Sequence, residues 1–470
     1  MARIGVLAVV ATLVWALSAG SGAGGSAGAL GPRPLPPTFV NLELEAFPRP
    51  AEEACGDNTR VVRVRPPNGL ARAVAAAEPG TTILLAPGTY QGPVGESNAL
   101  TIATPNVCLR APAGRAVLVP RSNAQHYGVV ISANDTVIDG LTVKGFAASI
   151  SLSRPDRRTL RRITLQRVVV EHPRGPARDG IVAYDDHRNA PEHRPSVDGL
   201  LLLNAKVSGT DIGVACNAGP CEHWWIERTQ VAPRRRSEDS GADAFAIEDG
   251  RQIAVVDSTF EGAAADGIDT KATDVVVFGA RVLGIGRNAI KLWHGGDVID
   301  SVVDGSGGDA SLVGDGPGRY RYLHVLVTHH LHPGVNAYVG TWGYDDRRPG
   351  LQLEIVNSVF YDNARGGFFA PSSASLSIRH TIFGDRSAKL IDFSDGGSLQ
   401  VSQLQDLQRS GQGLDNLAVE PRLAGRRGAW APLAGSPAID AAEPVPGLAR
   451  DLLEHPRVDG TGPDIGPVEG

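Results

Sequence analysis

Asp257-Ser-Thr-Phe260, Gly279-Ala-Arg-Val282 and Asp300-Ser-Val-Val303 follow one another at intervals of 22 and 21 residues. Each opens on a polar or small residue, passes two variable positions and closes on a β-branched or aromatic apolar one. The same pattern recurs upstream in Gly140-Leu-Thr-Val143, Arg167-Val-Val-Val170, Asn204-Ala-Lys-Val207 and Arg228-Thr-Gln-Val231, and downstream in Asn357-Ser-Val-Phe360 and His380-Thr-Ile-Phe383. Self-similarity at a period of roughly 20 to 50 residues is the signature of stacked repeats, each too small to bury its own apolar face. A leucine-rich repeat shares the period but requires a regular Leu ladder with Asn, which this chain lacks, and a β-sandwich does not keep such a register. The pattern predicts an all-β chain: a right-handed parallel β-helix solenoid over residues 61–415.

Composition agrees. With 57 Gly, 33 Pro and only 5% aromatic residues, the chain favours short strands and turns over packed helices. A formal charge of −6 supplies no basic field for nucleic acid or an anionic membrane. Residues 1–29 read as a secretory signal, with the apolar run Ile4 to Leu17 and cleavage after Ser18 or Ala29; residues 30–60 are a Pro/Gly-rich linker. The run is too short to span a bilayer and no second one follows, so the mature chain is expected outside the cytoplasm, without a membrane span and as a monomer. In that setting the four cysteines read as disulfides: Cys216 with Cys221 across a short Gly-Pro loop, leaving Cys55 with Cys108. A short helix is expected after Asn68, which can cap it, with Leu70, Val74 and Ala77 on one face and Pro79-Gly80 as its stop. Such a helix would cover the open first coil of the solenoid.

The chemistry-bearing stretch runs from Asp243 to His294. Aligned on the apolar column, Asp243, Asp266, Asn288 and Asp309 are equivalent. Alternation then sends Phe245, Ile247, Ile268, Thr270, Ile290 and Leu292 inward and Glu248, Asp269, Lys271, Lys291 and Trp293 outward. With rungs about 4.8 Å apart, Glu248 should lie beside Lys271 and Asp269 beside Lys291. A ladder of cross-strand ion pairs is the plainer reading. However, the chain holds only five lysines among 45 basic residues, and two of them fall here. Lysine, unlike arginine, can lose its proton and act as a base.

Ser436-Pro-Ala-Ile-Asp440, Arg457-Val-Asp-Gly460 and Gly462-Pro-Asp-Ile-Gly-Pro467 resemble the closing tail of secreted bacterial parallel β-helix proteins, which marks 416–470 as a tail packed on the solenoid. The N-terminal helix with its Ala-Pro-Gly-Thr-Tyr90 turn resembles the start of the same superfamily. Asp266-Gly-Ile-Asp-Thr-Lys271 resembles the acidic, lysine-bearing strands of calcium-dependent polysaccharide lyases on this fold, the pectate lyases in particular. That resemblance implies β-elimination on a uronate-containing polysaccharide. Asp243, Asp266, Asp269 and Glu248 would hold calcium, Lys271 or Lys291 would be the base, and Trp293, His294 and Arg365 would meet the substrate. A non-catalytic glycan-binding protein, an epimerase and a hydrolase stand as alternatives. Tyr184-Asp-Asp-His187 resembles the Asp/His loop of alginate epimerases, and His329, His330 and His332 could suggest a transition metal. The Gly-His-Gly motif of polygalacturonases is absent.

Overall fold

In the computed structural model the described residues are 59–470, except 155, 157, 173–178, 184–195, 218, 235–241, 309, 315, 331–336, 341–349, 364–367, 371–373, 385–388, 394–397, 410, 412 and 459. The chain winds through three long sheets in turn, here sheets A, B and C. After Arg60–Val64 it visits Thr81–Leu85 in sheet A, Gly88–Gln91 in sheet B and Asn98–Ile102 in sheet C, and then repeats the circuit. Among the described residues, sheet A holds 14 strands, sheet B 12 and sheet C 13, and nearly every neighbouring pair is parallel and one coil apart. This is a parallel β-helix. Its core is a set of columns rather than a centre: Ile83, Leu109, Ile138, Leu165, Leu202, Ile226 and Val255 are stacked in register down sheet A, all fully buried. Each such side chain stabilises the fold by about 1.5–3 kcal/mol relative to exposure.

The recurring motif of the sequence is the corner from sheet A into sheet B. Its first residue adopts a left-handed backbone: φ is 51° at Arg167, 49° at Asn204, 45° at Asp257, 68° at Gly279, 47° at Asp300 and 52° at Asn357. Gly, Asn and Asp tolerate that region best, which is why the position is small or polar. The residue three places on points into the core, and Val143, Val170, Val207, Val231, Phe260, Val282 and Val303 form one buried column. His324-Val-Leu-Val327 is a further copy, with φ 51° and Val327 buried.

Leu70–Ala75 is the helix expected near the start, and Leu70 and Val74 face the core as anticipated. Its cap differs from the expectation: Gly69, with φ 112°, occupies the N-cap position and no side chain caps it, so Asn68 lies one residue too early. At the other end, Leu404 and Leu407 of a second short helix close the core column. The outward face of sheet B is apolar, and the residues after 416 cover it. Val302, Leu326, Val359 and Ile382 pack with Ala438, Leu452, Ile465 and Val468. Arg457, itself buried, donates to the carboxylates of Asp300 and Glu469 beneath this layer. Cys216 and Cys221 are bonded to each other. Cys108 is also disulfide-bonded, while Cys55 lies outside the described residues.

Candidate functional site

Strands Phe245–Ile247, Ile268–Thr270 and Ile290–Leu292 are successive rungs of sheet C, with Ala246, Asp269 and Lys291 in one register column. Phe245, Ile247, Ile268, Thr270, Ile290 and Leu292 are buried, so alternation places Asp269, Lys291 and the residues just past each strand on the outer face. Lys271 Nζ donates directly to Glu248 on the preceding rung. Trp293 reaches back one rung, and its Nε1–H donates to Asp269 Oδ1 at 2.7 Å. Both ammonium groups lie over its ring: Lys291 Nζ is 4.3 Å and Lys271 Nζ 5.2 Å from the centroid. Cation–π attraction of this kind contributes about 0.5–2 kcal/mol per contact. The result is a compact group of two cations and two carboxylates arranged around one indole, with His294 exposed at its edge.

The aspartates at the entrance to sheet C do something else. Asp243 Oδ1 accepts the backbone N–H of Asp266 at 2.8 Å. Asp266 Oδ1 in turn accepts the backbone N–H and the side-chain amide of Asn288 at 2.9 and 3.0 Å. Each acidic side chain therefore pins the next coil, the role of a rung-to-rung clamp. Burial pushes the Asp243 carboxyl up to about 7, reinforced by the Asp266 charge and opposed by the Asp266 N–H and Arg287. Burial and Asp266 likewise push Asp269 up to about 6, against Lys291, the Trp293 hydrogen bond and Lys271. Asp309, the fourth member of the column, lies outside the described residues, as do Arg365, His332 and Tyr184 to His187.

Calcium needs six to eight oxygens converging on one point. One oxygen of each candidate is already engaged: Asp243 Oδ1 and Asp266 Oδ1 by backbone amides, Glu248 Oε2 by Lys271 and Asp269 Oδ1 by Trp293. Among the described residues, the one group of three or more His, Cys, Asp or Glu whose ligand atoms all lie within 4.8 Å of one another is elsewhere: Asp198, Glu222 and His223, on the outside of sheet A. Among the described residues, Asp243, Glu248, Asp266 and Asp269 do not bring three ligand oxygens within 4.8 Å of one another. The sheet A trio escaped the sequence reading, since only the pairing of Val197 with Cys221 brings Asp198 beside Glu222. It is also bracketed by arginines, with Arg251 2.9 Å from Glu222 and Arg161 3.5 Å from Asp198. His329 and His330 are separately engaged: His329 Nδ1 lies 2.8 Å from Asp304, and His330 Nδ1 2.9 Å from the Ser306 hydroxyl.

No protein-family model matches the chain, and no curated protein does. Among solved structures it is similar to the pectate lyase Pel9A, at 15% identity over 89% of this chain and 99% of that one, with a TM-score of 0.38. It is also similar to the A-module of the mannuronan C-5 epimerase AlgE6 from Azotobacter vinelandii, at 14% identity over 69% and 87% of the two chains, TM-score 0.45. A third is an alginate lyase from Paenibacillus sp. str. FPU-7, at 16% identity over 67% and 99%, TM-score 0.39. These likenesses concern architecture, which the strand order of the three sheets establishes independently.

Proposed function

We propose that the chain is an exported lyase that cleaves a uronate-containing polysaccharide by β-elimination on the outer face of sheet C. The observation that carries this reading is the meeting of Lys271, Lys291 and Asp269 around the Trp293 indole on adjacent rungs. β-Elimination needs a cation on the uronate carboxylate, a base for the proton on the adjoining carbon and a proton for the departing oxygen. Lys291 is assigned to the carboxylate and Lys271 to the base. The carbon–proton electron pair becomes the new double bond as the glycosidic carbon–oxygen bond breaks. Asp269, which holds a proton to about pH 6, gives that proton to the departing glycosidic oxygen. Trp293 offers its ring to a sugar face and His294 borders it. Arg365 remains a candidate substrate contact on sequence grounds. Calcium at Asp243, Glu248, Asp266 and Asp269 has no step in this scheme, because a lysine ammonium provides the charge that the ion would bring.

The direct Lys271–Glu248 ion pair favours a second reading from another class, a glycan-binding surface without turnover. Incubation with pectate, alginate and glucuronate polymers, followed by ultraviolet absorbance of unsaturated product with and without a chelator, separates the two. The lyase reading expects product on at least one polymer and the same rate in chelator. No product on any polymer that the protein binds would leave the binding reading.

A further inference from the structure

A second site lies at the corner where the chain leaves sheet C for sheet A, four rungs before Lys271 and five before Lys291. A cavity of about 550 Å³ opens there, walled by Asn134, Arg154, Arg158, Thr159 and Arg161. That volume falls within the range of small-ligand pockets, roughly 300–1,000 Å³. Three guanidinium groups surround it. Arg154 is mostly buried and fixed, donating to both oxygens of Asp156 at 2.9 and 2.6 Å and to Asn134 Oδ1 at 3.1 Å. The other two are loosely held: Arg158, 82% exposed, comes only within 3.9 Å of Asp156, and Arg161, 54% exposed, within 3.5 Å of Asp198. Asn134 Oδ1 also takes the Arg161 N–H at 2.9 Å, so the floor of the cavity is hydrogen-bonded in place. The Thr159 hydroxyl accepts from Ser196 at 2.7 Å and keeps its own proton to donate.

We propose that this cavity binds a carboxylate-bearing sugar, as a distal anchor for an acidic polysaccharide. Two exposed, loosely paired guanidinium forks beside a hydroxyl donor suit a planar carboxylate, which an arginine grips through two parallel hydrogen bonds. The register gives the distance. Ser151, Val182, Ala215, Ala246 and Asp269 share one column, so the corner after Ser151 lies four rungs, roughly 19 Å, along the axis from the Asp269 rung. That axial separation is the one a polymer would have to span to meet both the arginines and the lysines. The choice of a sugar acid rests on the reading of sheet C as a glycan face, whereas the anion site itself does not.

Calorimetry with uronate trimers (galacturonate, mannuronate, guluronate and glucuronate), with maltotriose and with inorganic sulfate and phosphate tests the assignment. At least one uronate trimer should bind and maltotriose should not. Its affinity should fall about tenfold or more in Arg158→Gln/Arg161→Gln and in the same direction in Arg158→Gln, where an exposed side chain has little packing to lose. Arg427→Gln, an exposed arginine paired with Glu261 outside both sites, should leave this affinity within about twofold. Unchanged binding in the arginine variants, or no binding of any trimer, overturns the proposal. Sulfate or phosphate binding as tightly as the trimer overturns the choice of a sugar acid. Loss in Lys271→Gln alone returns all binding to the lysine face.

Discussion

Trp293 and Asp269 are joined across one rung of sheet C: the indole N–H donates to Asp269 Oδ1 at 2.7 Å, and the same ring lies under the ammonium groups of Lys291 and Lys271. One side chain thus organises both carboxylate and cations. Trp293→Phe keeps an aromatic face for the lysines and removes the donor. The hydrogen bond holds the Asp269 carboxyl down, so its loss should move the titration above about 6. Carbon-13 NMR of labelled aspartate measures this, and an unmoved midpoint would mean that the indole does not tune the carboxyl.

Asp243 makes stability fall as pH rises. Its folded carboxyl holds a proton to about 7, against an ordinary value of 3.8, so between those values the folded state binds more protons than the unfolded one. The stability it contributes is therefore present in acid and lost through neutrality. Asp243→Asn keeps an oxygen to accept the Asp266 N–H. It should flatten the decline in melting temperature between pH 4 and 7 and raise the melting temperature at pH 8. A variant that melts lower at pH 8 would show that the charged carboxylate is needed.

Arg457 ties the closing segment to the solenoid from a buried position. Arg457→Met leaves Asp300 and Glu469 without their guanidinium partner in a dry layer, a change that costs about 3–5 kcal/mol. Thermal melting should drop, and limited proteolysis should remove residues after 416 first. Melting within about a degree of the parent would place the anchoring in the apolar contacts of Val302, Leu326 and Ile465 instead.

The exposed corner residue Asn204, with φ 49°, isolates a backbone effect from packing. Asn204→Val should destabilise by about 1–2 kcal/mol, because a β-branched side chain resists the left-handed region, while Asn204→Gly should be close to neutral. Chemical denaturation of the pair decides it, and equal midpoints would deny the corner its conformational role.

The solenoid was legible because one physical constraint recurs every coil. A left-handed corner wants Gly, Asn or Asp, and three residues later the core wants Val or Phe, so Asp257 with Phe260 and Asp300 with Val303 state the rule. The His324 coil was overlooked although it obeys the same rule, because the long interval between Asp300 and Asn357 concealed it. Lateral pairing of Glu248 with Lys271 followed from alternation alone. What alternation could not reveal is how an acid at a strand entrance spends its oxygens. Asp243 and Asp266 align as ligands would, yet each accepts a backbone amide from the next coil. The Arg154, Arg158 and Arg161 cavity was equally hidden, since it depends on the path of a turn rather than on any periodicity.

In the proposed elimination a lysine on sheet C takes the proton. Lys271→Arg and Lys291→Arg keep the charge but hold their protons far more tightly, so steady-state rates of unsaturated product on the best polymer separate base from charge partner. With Lys271 as base and Lys291 as charge partner, kcat should fall about 10²-fold or more in Lys271→Arg and less in Lys291→Arg, with melting temperatures unchanged. Near-parental kcat in both variants would contradict this assignment and reduce the lysines to a structural ion-pair ladder.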